Sequence, residues 1–111
     1  MEYIKCYWDH NYAYAEEEPV LLYYEVDTEE ERYAVRCIEI YADGRIEAIQ
    51  DEKFGFVTEG PVPTVTEINE EYSETDEWGD RFRACLITKA EFERVWNSSI
   101  YEEKEGLSAF Q

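Results

Sequence analysis

The chain has 111 residues, with 28 Asp and Glu against ten Lys and Arg, a net charge of −18 and 16% aromatic residues. That length accommodates one domain, the aromatic content excludes a disordered chain, and no apolar run reaches the ~18 residues that a membrane-spanning helix requires. The charge also argues against direct binding of nucleic acid, whose phosphates would repel it, and Glu2, Tyr3 and Lys5 do not make a signal-peptide pattern, so a soluble, cytoplasmic protein is expected.

Tyr3-Ile4-Lys5-Cys6-Tyr7-Trp8 is a short aromatic and β-branched run that predicts a strand, and Val20 to Val26 predicts another. Between them, Asp9 to Pro19 reads as a loop with Glu16, Glu17 and Glu18 at its tip and a proline at the strand entrance. Tyr33 to Tyr41, the dipeptide Asp43-Gly44 and Arg45 to Ile49 predict a hairpin closed by a two-residue type I′ turn. The incoming strand does not alternate cleanly. Val35 shares a pleat face with Cys37, whereas Ile38 and Ile40 point the other way. Helices covering one face, together with a bulge near Arg36 or Cys37, reconcile that pattern.

Asp51 to Pro63 contains Gly55, Gly60, Pro61 and Pro63 and reads as a connector. Thr64-Val65-Thr66-Glu67 has capping-box spacing and predicts a short helix from about Val65 to Tyr72. Ser73 to Asp80 is an acidic loop around Trp78-Gly79, and Phe82 to Ile87 a last strand. Thr88 to Glu91 repeats the capping-box spacing, after which Phe92, Val95 and Trp96, extended by Ile100, form a core-facing helical stripe. The expected fold is α+β, a mainly antiparallel sheet of four to five strands with two short helices packed on it. Residues 1–101 make the single domain and residues 102–111 a frayed C-terminal tail.

Taken together, Tyr3-Ile4-Lys5, Glu18-Pro19-Val20-Leu21-Leu22-Tyr23, the R-x-I-E-I-Y-A-D-G run from Arg36 to Gly44, Pro61-Val62-Pro63 leading to Glu67-Ile68-Asn69, and I-T-K-A-E-F-E-R-V-W from Ile87 to Trp96 resemble an uncharacterised family of small bacterial proteins. The resemblance spans nearly the whole chain. It implies a single compact α+β domain and, because the family has no established activity, no functional residues. The loop from Asn11 to Glu17 and the stretch from Glu70 to Arg83 depart from the family pattern. Both are rich in acids and aromatics, which makes them places to expect a partner surface.

The charge is blocked rather than spread. A chain of this size exposes roughly 6,500 Å², so evenly distributed acids would lie about 15 Å apart, beyond the ~8 Å screening length at physiological salt. Instead, no Lys or Arg occurs between Lys5 and Arg32, where Asp9, Glu16, Glu17, Glu18, Glu25, Asp27, Glu29, Glu30 and Glu31 fall. A second window without basic residues, Phe54 to Asp80, holds Glu59, Glu67, Glu70, Glu71, Glu74, Asp76, Glu77 and Asp80. Self-repulsion within such blocks costs stability unless a partner relieves it.

No nucleophile elbow, phosphate loop, dinucleotide fingerprint or H-E-x-x-H motif is present, and a carboxylate pair chosen from so many acids has no specificity, so no enzymatic activity is expected. Cys6, Cys37, Cys85 and the single His10 lack the close pairing of zinc ligands, and no D-x-[DN]-x-[DN]-G spacing marks a calcium loop; neither metal nor cofactor is expected. Cys37 and Cys85 lie in apolar strand-like runs and read as small buried hydrophobes.

The expected function is that of an acidic protein inhibitor that binds a positively charged surface of a nucleic-acid-processing enzyme, a nucleic-acid mimic such as an anti-CRISPR or other anti-defence protein. Alternatives are an immunity protein neutralising a cognate nuclease toxin and an acidic self-associating interaction module. The expected partner is therefore a basic protein, a nuclease or other nucleic-acid-binding enzyme, met by a monomer or weak dimer. Candidate contact residues are Glu16, Glu17, Glu18, Glu29, Glu30 and Glu31 in a first patch and Glu70, Glu71, Glu74, Asp76 and Glu77 in a second. Tyr12, Tyr14 and Trp78 are the candidate aromatic anchors.

Overall fold

A computed structural model of the chain describes residues 1–10, 18–29, 31–50, 55–58, 60–68 and 81–108. Five strands, β1 (Glu2–Asp9), β2 (Leu21–Asp27), β3 (Tyr33–Ile40), β4 (Ile46–Gln50) and β5 (Arg81–Ile87), precede one helix, α1 (Lys89–Ser108). The strands form a single antiparallel sheet in the order β4-β3-β2-β1-β5. The expected α+β class is found, but among the described residues the sheet carries one helix, not two.

The missing helix is the one expected from Val65 to Tyr72. Its capping chemistry is present: Thr64 N–H donates to Glu67 Oε2 at 2.8 Å, and Thr64 O accepts from the N–H groups of Glu67 and Ile68. Among the described residues this makes a turn over 65–68 rather than a helix, with Val65 and Ile68 packed on the sheet core. Residues 69–72 lie outside those described. The helix expected after Thr88 is present, with Glu91 N–H bonded to Thr88 Oγ1 at 3.1 Å as an N-cap. Its last residues, 102–108, fall in the segment read above as a tail.

Both faces of the sheet are covered, by different means. On one face Tyr3, Tyr23 and Ile38 pack beneath Phe92 and Trp96 of α1. On the other, Ile4, Cys6, Leu22, Val26, Cys37 and Ala84 pack beneath Val57, Val62, Val65 and Ile68 of the β4–β5 connector. This explains the mixed pattern of β3. Glu25 pairs with Arg36 and Val26 with Ala34, so Val35 is the extra residue of a bulge next to the position expected for it. The bulge lets Ala34 and Cys37 point to the connector face while Ile38 and Ile40 point to the helix. Because β4 pairs only with residues 36–40 of β3, Ala34 needs other partners. It finds them in the connector: Val57 N–H donates to Ala34 O at 2.8 Å, and Ala34 N–H donates to Thr58 Oγ1 at 3.1 Å.

The β3–β4 hairpin forms, but not through a type I′ turn. Gly44 N–H donates to Tyr41 O at 3.0 Å and Tyr41 N–H to Arg45 O at 2.9 Å, which makes Ala42, Asp43 and Gly44 a three-residue loop. Gly44 alone among these takes a positive φ, 93°. Asp43 keeps ordinary backbone geometry and uses its carboxylate to accept from Arg45 N–H at 2.9 Å.

Candidate partner-binding surface

The β2–β3 connection concentrates charge by holding its one cation down. Glu29 N–H donates to Asp27 Oδ1 at 3.0 Å, and Arg32 N–H closes the loop on Asp27 O at 3.1 Å. Glu31 and Arg32 both occupy the left-handed region, with φ of 58° and 64°. For residues with a Cβ that conformation costs roughly 1–2 kcal/mol each, so it persists only where other contacts enforce it. Arg32 supplies them. Its Nε donates to Val62 O at 3.0 Å, its Nη2 meets Glu2 Oε1 at 2.7 Å, and its carbonyl accepts from Val62 N–H at 2.7 Å. The guanidinium is thus turned inward, while Glu29 and Glu31 are exposed and, among the described residues, have no ion-pair partner. Glu67 lies on the same side, its carboxyl held below the usual range by the Thr64 N–H and, more weakly, by Arg32.

Other arginines are also committed internally. Arg36 makes a bidentate pair with Glu25 at 2.7 and 2.8 Å, contacts Glu93 of α1, and stacks 4.9 Å from the ring centres of Phe92 and Trp96. Tyr3 Oη donates to Glu25 at 2.9 Å. Arg36 holds the Glu25 carboxyl below its ordinary value against the opposing effect of burial. The Tyr3 hydroxyl is pushed up to about 12 by burial and by Glu25. Arg45 pairs with Asp43 at 3.0 Å, and Arg83 lies 3.6 Å from Asp9.

Basic side chains gather at the other end of the sheet, on β5. Arg81 and Arg83 of β5 sit opposite Asp9 and Tyr7 of β1. The Arg83 guanidinium lies 4.8 Å from the Tyr7 ring centre, and Lys5 Nζ lies 5.0 and 5.8 Å from those of Tyr7 and Tyr23. The β2–β3 turn with Glu29 and Glu31 and this basic, aromatic strip therefore lie at opposite ends of the strands, while Asp9, Asp43 and Glu47 are exposed at the strip's own end.

A family model described as a domain of unknown function, DUF6881, matches residues 2–101. The chain belongs to the DUF6881 family. No curated protein and no solved structure matches it. The family span takes in all five strands and the greater part of α1, so the acidic connections are interior to the DUF6881 domain rather than appended to it.

Within that domain the first expected patch divides. Glu29 and Glu31 lie together at the β2–β3 turn, whereas Glu18 is half-buried before the start of β2. The seven residues of β2 separate them, a length of about 23 Å at the usual rise of a strand. Glu16, Glu17, Glu30, Glu70, Glu71, Glu74, Asp76, Glu77, Tyr12, Tyr14 and Trp78 lie outside the described residues. Asp27, Glu2 and Glu67 join the turn from positions that the sequence reading did not select. A further pair, Glu39 and Glu47, is directly opposed across β3 and β4, with Tyr41 Oη 3.0 and 3.4 Å from their carboxylates. Burial and Glu39 push that phenol up to about 12.

The cysteines do not converge. Cys6 and Cys37 are buried toward the connector, burial raising both thiols, and Cys85 occupies the opposite face of β5. Among the described residues no three His, Cys, Asp or Glu side chains are grouped as metal ligands, and no helix is long and apolar enough to cross a membrane.

Proposed function

We propose that this DUF6881 domain is an acidic inhibitor that docks on a positively charged surface of a nucleic-acid-processing enzyme, its carboxylates standing where phosphates would. The observation that carries this reading is the β2–β3 turn. A left-handed Glu31-Arg32 pair is held in place by the inward Arg32, which leaves Glu29 and Glu31 exposed and, among the described residues, without an ion-pair partner. A rigid scaffold lowers the ordering cost of association, and unpaired exposed charge speeds encounter with a basic groove.

Immobilised protein, exposed at low salt to lysate from cells that carry the gene, tests the reading. Elution by a salt gradient should release a basic nucleic-acid enzyme, and purified protein should then inhibit that enzyme in competition with its nucleic-acid substrate. Recovery of partners that ignore salt, or of an enzyme whose activity is unaffected, overturns the proposal. The identity of the enzyme, a defence nuclease or a toxin, separates an anti-defence protein from an immunity protein.

A further inference from the structure

Apart from the acidic turn, the connector face holds a cavity of about 310 Å³. Its floor is Cys6, Tyr24 and Phe82, on three adjacent strands, and its wall is Val62, Pro63 and Ile68 of the connector. The sequence explains why the space is open. Cys6, in the floor, has Ala84 as its direct cross-strand partner, so two small side chains lie side by side on this face of the sheet, and Gly60 offers no side chain to the wall. A dry cavity of roughly 150 Å³ accepts benzene, so this one has room for a bicyclic ring.

Its polar content is small and specific. Thr58 already accepts the Ala34 N–H, and the Cys6 thiol is kept neutral by burial. The Tyr24 hydroxyl, whose ionisation burial also opposes, makes no hydrogen bond among the described residues. Among the described residues no lysine or arginine lines the space, so an anionic ligand would lose its hydration without compensation. We propose that the cavity is a binding site for a neutral, largely apolar ligand of one or two rings bearing one hydrogen-bond acceptor, which the Tyr24 hydroxyl recognises. Apolar walls with a single placed donor are the usual composition of small-molecule sites.

NMR titration of the full chain with 1-indanone, which carries a carbonyl acceptor, and with indane, which has none, tests this. Both should give saturable shifts at the amides of Cys6, Tyr24 and Val62, with indanone the tighter. Tyr24→Phe should weaken indanone about fivefold, the worth of one ordinary hydrogen bond, and leave indane unchanged. Ile68→Trp should abolish both by filling the cavity. If that variant does not keep the wild-type spectrum, Gly60→Leu replaces it, since a Cβ at Gly60 meets nothing within 4 Å. Absence of saturable shifts up to millimolar ligand overturns the proposal, as does an indanone-to-indane ratio unchanged by Tyr24→Phe.

Discussion

Arg36 fastens α1 to the sheet, and its removal exposes how much of the fold depends on a buried charge. Only 14% of its side chain and 10% of that of Glu25 are accessible, so Arg36→Met leaves the Glu25 carboxylate buried with Tyr3 as its remaining donor. Removing one partner of a buried pair costs about 3–5 kcal/mol. Glu93 is one-third exposed and can turn to water, and Met recovers part of the packing on Phe92 and Trp96, so the lower end of that range applies. With an unfolding entropy of roughly 2.1 cal/mol/K per residue, 3 kcal/mol lowers the Tm by about 13 °C. The pH dependence gives an independent sign. In the wild type the Glu25 pKa is depressed below 4.5, so its stabilisation is present above that value and is lost as the pH falls through the folded pKa. In Arg36→Met burial raises the pKa of the unpaired carboxyl, so protonation on acidification relieves a penalty that the variant carries at neutral pH. The gap between the two proteins must therefore narrow on acidification. Thermal melts followed by circular dichroism at neutral and acidic pH measure it. A loss below about 1 kcal/mol at neutral pH, or a gap that does not change with pH, refutes the argument.

Other perturbations address separate contacts. Glu31→Gly should exceed Glu31→Ala in stability by about 1 kcal/mol, because both remove the charge but only glycine relieves the positive φ; equal melting temperatures would show that the turn is unstrained. Glu47→Lys replaces a like-charged cross-strand pair with an opposite one and should stabilise the β3–β4 hairpin by about 0.5–1 kcal/mol in chemical denaturation, provided that Glu39 remains its partner. Thr88→Ala removes the N-cap of α1 and should cost about 1 kcal/mol by the same measurement. Added sodium chloride should raise the Tm of the wild type, since screening relieves the self-repulsion of a −18 chain; a falling Tm would mean that the internal ion pairs dominate.

The strands were legible because aromatic and β-branched runs are short and sharply bounded: the reading of Tyr3 to Trp8 falls inside β1, and that of Phe82 to Ile87 differs from β5 by one residue. The bulge was legible from the broken alternation around Val35. The hairpin turn differs from the expected type I′ turn for a physical reason. Asp-Gly satisfies a two-residue turn, but it equally satisfies a three-residue loop in which only Gly44 bears the positive φ. That one-residue difference places Glu39 opposite Glu47 instead of opposite Ala48. After Thr64 the capping chemistry specifies a start and not a length, and the described residues 65–68 form a turn rather than a helix. At the candidate surface, the exposure of Glu29 and Glu31 follows from local acidity and turn chemistry. The inward course of Arg32 does not, because it depends on carbonyls some thirty positions further along the connector.

The acidic potential of the β2–β3 turn underlies the functional account, and it can be measured without a partner. Paramagnetic relaxation of backbone amides by a cationic and an anionic nitroxide cosolute reports the local potential residue by residue. The account predicts the strongest preference for the cationic probe at residues 28–32 and the weakest at Arg81 to Arg83. Equal preference at those two ends of the sheet would contradict it.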